Sequence, residues 1–175
     1  MSNKYVYSLL VICWLALVAG CAPSAEEHSR KGESYIWVKN YAAAINEFKM
    51  SAEKDPTNAM TFYHWGFCLL NLGKMEEAVE AFHKAIEMEP GNIRNYINLS
   101  IAHDYLGDDE AAEMCLLTAL DINPASVQAH FNLATMYMKR GDYDRADMHL
   151  RRVEQDGRAE TTDIRAVLDS LENLP

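Results

Sequence analysis

Histidines, clustered acids and cysteines are the residues of this chain with chemistry to offer. The histidines stand at His28, His64, His83, His103, His130 and His149. None falls in an H-E-x-x-H arrangement, which would set two ring nitrogens on one helix face beside a carboxylate base. His103 and Asp104 are adjacent in sequence, and adjacent helix residues point apart. Asp108, Asp109 and Glu110 open a helical segment, where carboxylates favour the positive end of the helix dipole. Cys13, Cys21, Cys68 and Cys115 contain no C-x-x-C pair, so neither a zinc ribbon nor a dithiol redox motif is present. No glycine-rich phosphate loop occurs. These spacings predict no enzyme, no metal site and no cofactor.

Cys21 stands apart because of what precedes it. Residues 1–20 carry one charge, Lys4, and Val6–Val18 is an almost unbroken apolar run. That run is short for a membrane span and suits the apolar core of a secretory leader. Val18-Ala19-Gly20-Cys21 resembles a bacterial lipobox. The resemblance implies a diacylglyceryl group on the Cys21 thiol, cleavage after Gly20 and acylation of the new amine. Two or three acyl chains hold a protein at a membrane durably, at about 0.8 kcal/mol per buried CH₂. Ala22 rather than Asp after the cysteine implies, by the same resemblance, the outer membrane with the body in the periplasm. The linker, residues 22–25, reaches at most about 14 Å, so the first helix must sit near the membrane surface.

Along the remaining chain one interval dominates. Pro56, Pro90 and Pro124 are each 34 residues apart, as are Gly73, Gly107 and Gly141. Ala44, Ala78, Ala112 and Ala146 keep the same step, and so do Phe48, Phe82, Leu116 and Leu150. Within each period two amphipathic segments flank the glycine, where a helix can end with positive φ. The clearest unit is Phe62–Pro90. Its Phe62, Trp65, Gly66, Leu69, Ala78, Phe82, Ala85 and Pro90 fit the W-x-x-L-G-x-x-Y…A…F…A…P pattern. The chain therefore resembles tetratricopeptide-repeat (TPR) proteins. The implied fold is all-α, a right-handed superhelical solenoid of about four helix-turn-helix repeats. The units fall near residues 25–58, 59–92, 93–126 and 127–160, so the array covers 26–160. Residues 161–175 follow as a capping helix, with Ile164, Val167, Leu168 and Leu171 at helical spacing. The first helix of repeat 1 is degenerate: His28 and Lys31 stand where large apolar residues are expected. Terminal repeats are often polar on their outer face, so an outward-facing end cap is expected there, with Tyr35, Ile36 and Trp37 as an alternative docking face.

In TPR proteins the inner face, built from the first helix of each repeat, carries function. The resemblance assigns that face to the fifth, sixth and ninth residues of each repeat. They are Tyr63, His64 and Phe67, then Ile97, Asn98 and Ile101, then Phe131, Asn132 and Thr135. Apolar residues at the fifth and ninth positions can fill pockets, and the amides can meet a ligand main chain. The Lys and Asn of the two-carboxylate clamp subclass are missing, so an acidic chaperone tail is not the expected ligand. A protein or peptide segment is, with the chain's own termini or a second copy (a homodimer) as the other occupant. The net charge of −10 and the lack of a basic stripe argue against nucleic acid. Small TPR lipoproteins of this kind resemble pilus and secretion assembly factors (Flp/Tad or pilotin type). The expectation is a non-enzymatic adaptor of an envelope machine, with recruitment of peptidoglycan hydrolases as the alternative. Cys68 and Cys115 fall on helices that do not neighbour each other in such a stack, and are expected to be free.

Overall fold

The computed structural model describes residues 23–156. The leader, Cys21 and the C-terminal helical segment lie outside the described residues. Eight helices are described, and they form four antiparallel pairs. The pairs are α1 (Ala25–Trp37) with α2 (Tyr41–Lys54), α3 (Ala59–Asn71) with α4 (Met75–Met88), α5 (Ile93–Leu106) with α6 (Asp109–Ile122), and α7 (Val127–Lys139) with α8 (Tyr143–Asp156). Each helix packs on the next, and α1 also touches α3 and α3 touches α5. This is the expected solenoid stack.

Local signals set the boundaries. Ser24 caps α1 and Glu27 returns the bond, forming a capping box. Asn40, Asn58, Asn92, Asp108 and Ser126 cap the starts of α2, α3, α5, α6 and α7 through their side chains. The turn within each pair needs a left-handed residue. Gly73, Gly107 and Gly141 have φ of 75°, 77° and 74°, and Lys39 fills the equivalent place in repeat 1 at 56°. A lysine there carries a strain of about 1–2 kcal/mol that glycine escapes.

The core of each pair is a close approach between one small and one large residue. A Cβ at Gly66 would stand 2.8 Å from the Phe82 ring, and one at Gly32 would stand 2.7 Å from the Phe48 ring. Repeats 3 and 4 carry Ser100 and Ala134 at that small position, and Leu116 and Leu150 at the large one. All four are buried. Glycine faces phenylalanine; serine and alanine face leucine. The sum of volumes is kept while its division changes.

A second pair of positions behaves differently at the ends. In the middle repeats it is filled by Phe62 with Ala81 and by Tyr96 with Cys115. In repeat 1 it is His28 and Glu47, with Nδ1 2.7 Å from Oε2, and Lys31 joins the same carboxylate at 2.5 Å. The expectation that His28 faces outward as part of a polar cap is corrected: it is buried. A wedge position inside a helix pair stays inside whatever occupies it, so the polar residue there has to find a partner. Lys31 and then His28 hold the Glu47 carboxyl below its ordinary range by hydrogen bonding. In repeat 4 the same two positions are His130 and His149, whose Nδ1 atoms lie 2.8 Å apart. His130 Nε2 donates to the Pro124 carbonyl at 3.1 Å. Its Nδ1 is then the acceptor and His149 Nδ1–H the donor. Tyr137 stacks on His149, and Arg145 lies over the Tyr137 ring.

The junctions between repeats also differ. Between repeats 1 and 2, the Thr61 hydroxyl meets the hydroxyls of Ser29 and Ser51 at 3.1 and 3.3 Å. Between repeats 3 and 4, Glu113 accepts from Tyr137 Oη at 2.5 Å and Arg140 Nη1 at 2.5 Å, and Lys139 pairs with Asp104 at 2.8 Å. The Tyr137 hydrogen bond, with Arg140 behind it, keeps the Glu113 carboxyl ionised below its ordinary range. Among the described residues no side-chain hydrogen bond or ion pair joins α3 or α4 to α5 or α6. That junction is apolar, with Leu99 packed into the cluster of Phe82, Leu69 and Ala78.

The packing rule can be measured. Gly66→Ala lowers stability by about 1–3 kcal/mol, as overpacking does; adding Phe82→Leu recovers part of the loss, although Phe82→Leu alone is itself destabilising. Thermal melts followed by circular dichroism would show this non-additivity, and simple addition of the two losses would refute it. A second expectation concerns pH. His149 is pushed down to about 4, first by burial and then by His130 and Arg145, with Glu113 opposing. Its folded value lies below the unfolded one, so the unfolded chain binds the extra proton and stability falls with falling pH. The loss develops between about 6.5 and about 4. His149→Leu reduces the slope of the melting temperature across that window; an unchanged slope would remove His149 as a source of it.

Candidate functional site

A surface trough runs across the first helices α1, α3, α5 and α7. It consists of three depressions that share walls. The first is formed by Ile36, Trp37, Met60, Tyr63, Phe67 and Arg94, with Glu33 and His64 behind them. The second takes Tyr63 and Arg94 from the first and adds Ile93, Ile97, Asn98, Ile101, Ser126 and Gln128. The third takes Ile101 from the second and adds Ser100, Asp104, Leu116, Phe131, Asn132, Thr135, Met136 and Lys139. Shared Tyr63, Arg94 and Ile101 make the trough continuous over all four repeats.

All nine residues assigned to this face from the sequence line it. Their roles are unequal. Phe131 is 43% exposed, and Phe67 and Ile101 are half-buried. Ile97 is corrected: it is 8% exposed and belongs to the core with Leu116, Leu133 and Ala129. Ala112 and Leu116 of α6, together with Ala129 and Leu133 of α7, close around it. Tyr63 is divided, since its ring also packs on Phe82, with centroids 6.4 Å apart.

The amide ladder expected at the sixth position is interrupted. His64 lies between the rings of Phe48 and Tyr63, at 5.5 and 5.2 Å. Burial pushes its pKa down, Glu33 3.6 Å away opposes, and Arg94 adds to the depression. Asn132 Oδ1 already accepts from Gln128 Nε2 at 2.8 Å, and the Thr135 hydroxyl donates to the Phe131 carbonyl at 3.0 Å. Among the described residues of this ladder, the Asn98 amide makes no side-chain hydrogen bond, and Asn132 keeps its Nδ2 donors. Cys21 lies outside the described residues.

Of the groove residues that sequence reasoning missed, three form a series. Met60, Arg94 and Gln128 sit at the second position of repeats 2, 3 and 4, one turn before the fifth, at the same 34-residue step. The repeat interval and the helical period together were enough to find them. Arg94 is exposed and brings one positive charge to the centre of the trough.

Cys68 and Cys115 are free, as expected. Burial pushes the Cys68 thiol up to about 12 and the Cys115 thiol up to about 11, so neither forms the thiolate a nucleophile needs. Among the described residues no three His, Cys, Asp or Glu side chains come together to hold a metal ion, and no helix is long and apolar enough to cross a membrane.

Comparison with known proteins follows this geometry. The family described as the middle TPR-like domain of cilia and flagella-associated protein 70 matches residues 40–156. No curated protein matches the chain by sequence. Among solved structures, MamA (residue 41 to the end) from Desulfovibrio magneticus RS-1 is similar at TM-score 0.73 and 22% identity, over 79% of this chain and 78% of that one. TTC0263, a thermophilic TPR protein of Thermus thermophilus, is similar at 0.70 and 23%, over 85% and 81%. The first TPR of Spaghetti (RPAP3), bound to the HSP90 peptide SRMEEVD, is similar at 0.65 and 19%, over 67% and 94%. At these identities the likeness is one of fold.

The division between core and groove is measurable. Ile97→Ala costs about 2–4 kcal/mol, as a buried large-to-small change does, whereas Phe131→Ser stays within about 0.5 kcal/mol. Equal effects in a denaturant titration would mean that the two side chains share one environment.

Proposed function

The chain belongs to this TPR-like family, and from that premise we propose that it is a non-enzymatic adaptor that holds a protein segment in its trough while its N-terminus is anchored to a membrane. The carrying observation is the continuity of three depressions over four repeats, with exposed or half-buried Phe67, Ile101 and Phe131 at their walls. A continuous apolar trough fits an extended or helical segment better than a small molecule, because successive anchors can enter successive depressions. The solved neighbour with a peptide bound shows that a fold of this kind receives one. The Lys and Asn clamp residues are absent here, so the proposed ligand is read through apolar anchors, with Asn98 and Arg94 as polar contacts.

The anchor rests on Val18-Ala19-Gly20-Cys21 and the apolar run before it. With so short a linker, the first repeat stands at the bilayer, and we assign the protein to the bacterial envelope, at the outer membrane facing the periplasm. Assembly of a pilus or secretion machine is the task we favour. Such machines need membrane-held factors that grip another protein without altering it covalently.

Photoreactive residues placed at Phe67 or Ile101 of the full chain, in cells, are expected to capture one envelope protein. The double change Phe67→Ser and Ile101→Ser removes that capture from a photoreactive Phe131, while the melting temperature moves little. Mass spectrometry of the same material is expected to show acyl chains on Cys21. A crosslinked peptidoglycan hydrolase would replace machine assembly by hydrolase recruitment. A double variant that still captures its partner would overturn the groove itself.

A further inference from the structure

Charge is sparse along the trough, and it is ordered. Among the described residues that line the three depressions, the charged ones are Glu33, Arg94, Asp104 and Lys139. Asp104 and Lys139 hold each other at 2.8 Å. Glu33 lies 3.6 Å from His64 Nδ1, but burial pushes the His64 pKa down, so at neutral pH the ring carries no charge to cancel it. Arg94 is exposed and makes no ion pair or side-chain hydrogen bond among the described residues. The trough thus runs from a carboxylate near repeat 1, through a free guanidinium, to a matched pair near repeat 4. Arg30 lies outside it, in an adjoining hollow with Glu26 and Glu33.

Arg94 belongs to the walls of both the first and the second depression. Asn98 follows it by one helical turn on the same face of α5, half-buried and without a side-chain hydrogen bond. Apolar walls stand on either side: Met60, Tyr63 and Phe67 toward repeat 1, Ile101 and Phe131 toward repeat 4. Glu26, Met60 and Gln128 hold the position of Arg94 in the other repeats, so this cation occurs once in the series.

Resting on the reading of the trough as the binding face, we propose that the segment held there carries a single acidic side chain between apolar neighbours, with its carboxylate seated on the Arg94 guanidinium and the Asn98 amide. A guanidinium offers a carboxylate two parallel N–H donors, which fixes position as well as adding attraction. A segment with no acid at that point covers Arg94 and leaves a desolvated cation without a partner, which works against it. An acidic run fits no better. A second carboxylate toward repeat 1 meets Glu33, and one toward repeat 4 finds Lys139 already held by Asp104. The charge sets the register of the segment, and the apolar anchors on both sides supply the strength.

A phage-displayed library of short random peptides, selected on the tagged full chain in detergent, tests this without a known partner. Selected peptides are expected to share one Asp or Glu flanked by apolar residues. Selection on the Arg94→Glu chain is expected to put Lys or Arg in its place. For one such peptide made synthetically, changing its acid to the amide should weaken binding to the parent chain about tenfold, the loss of a charge-assisted hydrogen bond. The same change should matter little to the Arg94→Ala chain, as a coupled pair requires. Fluorescence anisotropy reads both, and circular dichroism checks that the Arg94 variants keep the fold. Peptides that need Phe67 and Ile101 but share no acid, carry an acidic run, or bind Arg94→Glu unchanged would overturn the proposal and leave the trough as the binding face. Peptides indifferent to Phe67→Ser with Ile101→Ser, or no selected peptide at all, would overturn the trough reading and this proposal with it.

Discussion

The ring of Phe82 presses within 2.8 Å of where a Cβ at position 66 would stand, and most of the architecture follows from that exclusion. Two helices can come this close only if one of them offers bare backbone at the crossing. Once they do, the large side chain is fully enclosed and its neighbours Leu69, Ala78 and Ala85 are fixed around it. Gly32 and Phe48 repeat the arrangement. In repeats 3 and 4 the enclosed residue is leucine, and the bare backbone is no longer needed, so Ser100 and Ala134 take its place. The constraint is on the shared volume of a pair rather than on either residue alone.

The same logic explains why the terminal repeats carry polar groups inside. A wedge position between paired helices is dry regardless of what fills it. His28 is tied to Glu47, and His130 to His149 and the Pro124 carbonyl. Such bonds are directional, and breaking one leaves a buried polar atom without a partner, which costs more than the bond itself contributes. The ends of the array thus trade tolerance of the environment for geometric definition.

Much of this was legible in the sequence. The 34-residue step placed the turns, and the spacing of Ala44, Ala78, Ala112 and Ala146 placed the crossings. Local rules supplied helix starts at asparagine and aspartate. Two things were less legible. Burial of His28 depended on a partner 19 positions away, and no local pattern reports whether a polar residue at a core position has one. Ile97 and Ile101 look alike in sequence, yet side chains of α6 and α7 enclose the first and leave the second half open. That distinction comes from how tightly successive repeats stack, which single-repeat periodicity does not encode. Met60, Arg94 and Gln128 were within reach, since the interval that found the fifth position also marks the second.

The uneven polarity of the three junctions has a mechanical consequence. Hydroxyl contacts tie the first junction and an Arg–Glu–Tyr cluster ties the third, and such contacts resist sliding because they weaken steeply with angle. The middle junction has one such bond, from Tyr96 Oη to the Pro90 carbonyl at 3.0 Å, and is otherwise held by apolar surface, whose burial is non-directional. Such a junction is kept in place by the shape of its interdigitated side chains, which pack as densely as the rest of the core. That middle junction lies beneath Arg94, at the centre of the trough. The curvature of the trough at its middle is therefore set by side-chain volume rather than by bond direction.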